Sequence, residues 1–375
     1  MRDPRLTGAF DSSDNSPFAG GIPLAQNRHE LSFADYQAST YREGFDGLRA
    51  IGFLLVVTAH IPAVEFFSAL QGWAAVWVFF AISGYLVTML LIREERKTGR
   101  IAFGAFLVRR VFRIVPAYAA AILLYFIAVY SLPFGEEYGW FVERLPYYLT
   151  LMPEYAQGGV FPMFVHSWII GIEMKFYLFF PAIVFLLLKD ERWRFGVTAA
   201  TTVLLLLQGS LTANAYCAIL FGVMLAQLLE WPRAYAAITA LTRVPAAVPL
   251  ACILALLILL RYREEWPAVA VVATYLVAHV TLQDSAMRRA LTWRPLVYLG
   301  QRSYGAYLLH VLAIHIGYLA FGSDTTVGGL LTAVFTLVVT IPAAEVLYRA
   351  VERPAMESAR RLADRLTAPA VRGAG

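Results

Sequence analysis

Apolar stretches of membrane-crossing length recur along the chain, separated by short polar segments. They fall near residues 46–64, 72–92, 113–131, 164–188, 195–209, 212–229, 244–260, 266–282, 303–321 and 327–348. A crossing helix needs about 20 mostly apolar residues. The pattern therefore predicts about ten transmembrane helices, the fifth and seventh of them short. Lipid offers the backbone no hydrogen-bond partners, so each unclosed segment must be helical. The predicted class is an all-α, polytopic membrane protein. Residues 1–40 carry Asp11-Ser12-Ser13-Asp14-Asn15-Ser16 and several Gly and Pro, with no apolar run. They are expected to form a polar cytosolic tail without regular structure, not a leader. Residues 355–375 are expected to form a second, basic cytosolic tail.

The composition agrees. The chain of 375 residues is 59% hydrophobic and only 15% charged, with a mean hydropathy of +0.61. Those values exclude a disordered chain, a disulfide scaffold and an ordinary cytosolic enzyme. Cys217 and Cys252 both lie in apolar runs and read as small core hydrophobes, not a disulfide or metal pair.

Charge sets the direction. With the N-terminus inside, the inner segments hold 26 of the 31 Lys and Arg residues. The outer loops hold only Arg144, Arg261 and Arg263, beside eight acids. This asymmetry predicts that both termini are cytosolic. The net charge of +5 suits anionic lipid better than nucleic acid. One outer segment, residues 132–165, contains Trp140, Tyr147, Tyr148, Tyr155, Phe161 and Phe164. It is either an aromatic interface belt or a re-entrant lid over a site.

Several polar residues lie where lipid penalises them. An ionisable side chain at the centre of a span costs roughly 2.5–3.5 kcal/mol on insertion scales. Arg49 and His60 are eleven residues apart in the first span, so they share a face at roughly 16 Å separation. Arg49 taken alone reads as an interfacial anchor, and His60 as a core histidine, but the shared face argues for a site. In the fourth span His166 and Glu173 are seven apart, again on one face. Glu173 needs a partner from another span, and His60 and Arg49 are the candidates. Lys175, two positions on, faces elsewhere. In the ninth span Ser303, Tyr307 and His310 form a stripe. Ser303 and His310 are about 10 Å apart along the helix, too far for a nucleophile–base pair, so Ser303 is read as a helix-start residue. His279 reads as a packing histidine. The basic run Arg109-Arg110-Val111-Phe112-Arg113 sits on an inner loop ahead of the third span. It suits anionic lipid or the phosphates of a cytosolic donor. No Walker loop, dinucleotide fingerprint, metal-ligand spacing or nucleophile elbow is present.

Six motifs in order resemble the acyltransferase 3 family of membrane enzymes. They are Phe45-Asp46-Gly47-Leu48-Arg49 with His60; Phe79-Phe80-Ala81-Ile82-Ser83-Gly84-Tyr85-Leu86; Arg109-Arg110-Val111-Phe112-Arg113-Ile114-Val115-Pro116; Ser167-Trp168 with Glu173, Phe176 and Tyr177; Leu299-Gly300 with Ser303-Tyr304 and Tyr307-Leu308-Leu309-His310; and Glu352-Arg353-Pro354. The chain departs at His166, where many relatives carry Ser or Thr, and at Ile169-Ile170-Gly171. The resemblance implies an acyltransferase domain over residues 41–354, stand-alone and without the hydrolase-like domain of longer members. It implies a multi-pass plasma-membrane enzyme that moves an acyl group, acetyl foremost, from cytosolic acyl-CoA to a hydroxyl of a glycan or other exported or membrane-associated acceptor. Acyl-CoA is then a co-substrate, with no resident cofactor and no metal. Membrane lipid is a further partner, nucleic acid is not, and a homo-oligomer stays open. Under this reading His60, Glu173 and Arg49 are catalytic. Arg109, Arg110, Arg113, Ser303 and Tyr304 hold the donor. His166, Trp168, Tyr177, Tyr307 and His310 line the acceptor site or channel. The competing class is a proton-coupled transporter of a sugar or small natural product, with His60, Glu173 and His310 as its relay.

Overall fold

The computed structural model describes residues 31–39, 44–134, 137–156, 163–245 and 266–367, together with 248, 249, 251 and 253. The described residues form helices and no strand. In chain order these are α1 (Phe33–Ala38), α2 (Gly44–Ala59), α3 (Glu65–Ala69), α4 (Ala74–Thr98), α5 (Phe103–Ser131), α6 (Glu137–Leu149), α7 (Trp168–Pro181), α8 (Glu191–Gln208), α9 (Leu211–Leu228), α10 (Pro232–Thr242), α11 (Trp266–Leu282), α12 (Ala286–Leu291), α13 (Arg294–Phe321), α14 (Thr326–Leu347) and α15 (Arg353–Thr367). A π-helical stretch, Tyr348–Glu352, joins α14 to α15.

Among the described residues six helices are long and apolar enough to cross a membrane: α4, α5, α7 with its flanking turns, α9, α13 and α14 with its extension. Helices α2 and α11 match two more expected spans but are only 16 and 17 residues long. The fifth expected span corresponds to α8, whose Glu191–Arg194 start makes it too polar to join the six. Most of the seventh, 244–260, lies outside the described residues. So does residue range 1–30 of the expected N-terminal tail, whereas 33–38 form α1. There Arg93 donates to the Tyr36 carbonyl at 2.6 Å, and Tyr36 is fully buried.

Two expectations about helix starts are corrected. Arg109, Arg110 and Arg113 do not sit on a loop; α5 begins at Phe103 and carries all three. The intervening turn is short because Gly99, at φ 73°, caps α4 in a left-handed conformation that costs glycine little. Ser303 is not a helix start. Helix α13 begins at Arg294, and the Ser303 hydroxyl bonds back to the Gly300 carbonyl at 2.7 Å. In both cases a polar or charged helical turn precedes the apolar run, and hydropathy alone reports only the run.

Small residues let the bundle close. A Cβ on Gly84 would lie 2.0 Å from the Ile219 carbonyl oxygen, and one on Gly222 would lie 2.1 Å from that of Ala81. Helices α4 and α9 therefore touch backbone to backbone, the close approach typical of helix pairs in lipid.

The segment between α5 and α7 forms a wall packed against α7. Glu154, in the turn Pro153–Tyr155, pairs with Lys175, whose ammonium also donates to the Leu151 carbonyl at 3.1 Å. Lys175 lies about 10 Å along α7 from its start at Trp168, so the turn dips beside the helix. Phe141, Tyr148 and Phe164 are buried, and Tyr147 and Tyr155 face outward. Phe161 lies outside the described residues.

Candidate active site

Helices α2, α4, α5, α7 and α13, with the turn after α2 that carries His60 and the turn Val165–Ser167 that carries His166, bring the chemistry together in two layers. The outer layer, at the end that the charge pattern assigns outside, is histidine. The His60 and His310 ring centroids are 4.9 Å apart, and those of His166 and His310 are 5.0 Å apart. Trp73 lies 4.6 Å from His60, and Tyr307 lies 5.2 Å from His166 and 5.3 Å from His310. The exposures of His60, His166 and His310 are 7%, 1% and 0%. The stripe spacing explains this convergence: His310 follows Tyr307 by one turn, and His60 closes the outer end of α2.

Backbone carbonyls fix each ring. His60 Nδ1 faces the Val56 oxygen at 2.9 Å, His310 Nδ1 faces the Tyr307 oxygen at 2.6 Å, and His166 Nε2 faces the Leu308 oxygen at 3.2 Å. A carbonyl only accepts, so each of these nitrogens carries the hydrogen. The opposite nitrogens, Nε2 of His60, Nε2 of His310 and Nδ1 of His166, are buried and have no partner. A buried polar atom left unpaired costs about 1–3 kcal/mol, and such costs concentrate at functional sites.

The inner layer is built around Glu173. The Ser83 hydroxyl donates to its carboxylate, and Arg49, Arg110 and Arg113 act on it through space. The expected partners were His60 or Arg49. Ser83 takes the direct contact instead, and Arg49 pairs with Asp46 at 3.3 Å. Glu173 therefore does not orient the His60 imidazole, which the α2 backbone already holds. Arg110 stacks its guanidinium over Tyr177 at 5.4 Å and over Phe106 at 5.5 Å. Arg113 follows one turn later and is exposed. Arg109 points elsewhere, in a 3.6 Å ion pair with Glu94.

Tyrosines separate the layers. The Tyr307 hydroxyl donates to the His166 carbonyl at 2.7 Å, and the Tyr304 hydroxyl donates to the Ile114 carbonyl at 2.8 Å. Trp168 meets Phe80 edge-on at 6.0 Å. Beside the outer layer, burial pushes the Tyr148 hydroxyl up to about 12 against the opposing pull of Arg144, so this phenol stays neutral. Ser303 turns to its own helix and touches neither layer directly. Residue-by-residue reading missed Ser83 and Trp73 as site residues. Ser83 was legible as the polar interruption in Phe79-Phe80-Ala81-Ile82-Ser83-Gly84; Trp73 carried no signal beyond its place at a span end. Among the described residues no group of three His, Cys, Asp or Glu side chains is arranged to hold a metal ion.

Chemically, the outer layer offers an unprotonated imidazole nitrogen closed to solvent. The inner layer offers two stacked or exposed guanidiniums beside a carboxylate. Such a pairing suits proton abstraction at one end and anion binding at the other.

The family pattern described as "Acyltransferase domain" matches residues 42–349. Curated relatives are similar along most of the chain. "Putative peptidoglycan O-acetyltransferase YrhL" of Bacillus subtilis is 27% identical over 85% of this chain and 55% of its own length. "Putative O-acetyltransferase SAS0844" of Staphylococcus aureus is 26% identical over 86% of this chain and 58% of its own. "O-acetyltransferase OatA" of Staphylococcus aureus is 24% identical over 84% and 57%. The chain thus spans little more than half the length of these relatives. No solved structure matches it significantly.

Proposed function

This chain belongs to the acyltransferase family, and we propose that it is a membrane O-acetyltransferase. In this reading it moves an acetyl group from cytosolic acetyl-CoA to a hydroxyl of an envelope glycan or another exported or membrane-associated acceptor, in the plasma membrane. The observation that carries the reading is the buried, unpartnered Nε2 of His60, locked in one tautomer by Val56.

The steps follow from that placement. The acceptor hydroxyl gives its proton to His60 Nε2, and its oxygen attacks the thioester carbonyl. The tetrahedral intermediate collapses, the carbon–sulfur bond breaks, and the thiolate takes the proton back from His60. One hydroxyl and one thioester become one ester and one thiol. Arg110 and Arg113 bind the donor's phosphates at the inner end, where bidentate guanidinium contacts are strongest. Arg49, paired with Asp46 and roughly 16 Å along the first span from His60, adds to the positive field at the donor end without touching the oxyanion, and Glu173 sets how much positive charge the inner layer presents. The family match favours this chemistry over proton-coupled transport.

The test is release of free CoA by the full chain in lipid nanodiscs, supplied with acetyl-CoA and a glycan acceptor. Acceptor-dependent release, with label appearing on the glycan, is expected. Release independent of acceptor, or no release with any glycan, overturns the reading.

A further inference from the structure

The three histidines share a property that one catalytic base does not require. Each ring donates its only N–H to a backbone carbonyl: His60 to Val56, His310 to Tyr307 and His166 to Leu308. Each therefore keeps a bare lone pair buried within the protein. In their neutral forms these nitrogens cannot bond one another, because acceptor faces acceptor. No donor among the described residues reaches them. Tyr307, the hydroxyl best placed to do so, spends its proton on the His166 carbonyl. The result is a buried trio of acceptors in rings 4.9 and 5.0 Å apart.

Such a trio repels an anion and gives a carbonyl oxygen nothing to bond. It is complementary to a ligand that brings several O–H donors at close spacing. We infer that His166 and His310 read a second hydroxyl of the acceptor, so that the outer layer selects acceptors with neighbouring hydroxyls over simple alcohols. The inference rests on the proposed transfer at His60: one hydroxyl reacts there while its neighbour donates to His310 Nε2 or His166 Nδ1. That second bond positions the reacting oxygen and takes no part in bond making. Trp73, against the far face of His60, closes the trio from one side and provides a ring on which a sugar can stack.

The test uses the full chain in nanodiscs, acetyl-CoA and the methyl glycoside of N-acetylglucosamine as acceptor probe. Mass spectrometry first locates the acetylated oxygen. Each monodeoxy form that keeps that oxygen is then compared with the parent. Removing one neighbouring hydroxyl should lower kcat/KM by about 10-fold or more, because a buried acceptor is left unpaired. In His310→Phe or His166→Phe, which keep the ring and lose the lone pair, the ratio between parent and that deoxy form should fall toward one. A smaller loss for every deoxy form of the wild-type protein overturns the inference while leaving the transferase reading intact. No transfer to the parent or to any other glycan removes both, and the absence of CoA release identifies that case. The wild-type comparison needs no variant to fold.

Discussion

His60 and His310 meet edge to face, their ring planes at 78° and their centroids 4.9 Å apart. One follows directly on α2 and the other lies within α13, and neither uses the other as a hydrogen-bond partner. The contact fixes where a proton can go. His60 is locked by Val56, so its acid–base work falls on Nε2 alone.

That assignment predicts the behaviour of two variants. His60→Gln should insert and fold, since it keeps the size and polarity of the side chain, and it should turn over about 10²–10⁴-fold more slowly, the range for a lost general base. The measurement is kcat from CoA release on protein matched by size exclusion. His279→Ala should stay near wild type, because His279 lies outside both layers and bonds Ser285. A folded His60→Gln enzyme with most of its rate would make His60 structural.

Much of this site was legible before any coordinates. Helical spacing alone puts Arg49 with His60, and His166 with Glu173, on single faces; in the structure His60 and His166 each meet His310, while Glu173 meets Ser83 and Arg49 meets Asp46. Three features were not legible. The Ser83–Glu173 bond joins residues 90 apart, and periodicity carries no information about which helix faces which. The start of α5 at Phe103 was hidden because Arg109, Arg110 and Arg113 break the apolar run without breaking the helix. The turn against α7 depends on the Glu154–Lys175 pair and on Gly171, whose missing side chain admits Glu154; a Cβ there would lie 2.4 Å from its carboxylate.

The wall formed by that turn can be tested through stability. Glu154 and Lys175 side chains are 3% and 20% exposed. Removing one partner of a buried pair costs about 3–5 kcal/mol when burial is complete, and less here because Lys175 keeps some contact with solvent. Glu154→Gln or Lys175→Met should each lower the thermal midpoint, and the double variant should recover part of the loss. Simple additivity in that cycle would show that the two charges do not act as a pair.

Backbone contact between α4 and α9 makes a second stability prediction. Gly222→Ala places a methyl 2.1 Å from a backbone oxygen that cannot move alone. It should reduce folded yield and thermal midpoint clearly. Gly196→Ala, within α8 and where a Cβ meets nothing within 4 Å, should be neutral or stabilising by about 0.5–1 kcal/mol, as expected for a helix-interior glycine. Equal midpoints for the two variants would mean that the helices are farther apart than described.

The inner layer makes the sharpest kinetic contrast. Arg113→Ala removes a cation from the proposed donor site, so KM for acetyl-CoA should rise with kcat little changed, the signature of lost uniform binding. Glu173→Gln should do the opposite. The amide still accepts the Ser83 hydrogen bond, so the geometry survives and only the negative charge goes. With that charge gone, Arg49, Arg110 and Arg113 present a more positive face, and KM for acetyl-CoA should hold or fall. The rate constant should drop by about 10-fold, less than in His60→Gln, if the carboxylate balances charge during transfer without touching the proton. Ser83→Ala keeps the charge and loses the bond, so it should cost less in kcat than Glu173→Gln and leave KM unchanged. Steady-state kinetics with both substrates varied reads all three variants. Should Glu173→Gln raise KM for acetyl-CoA as Arg113→Ala does, the carboxylate holds the arginines in place and does not tune them.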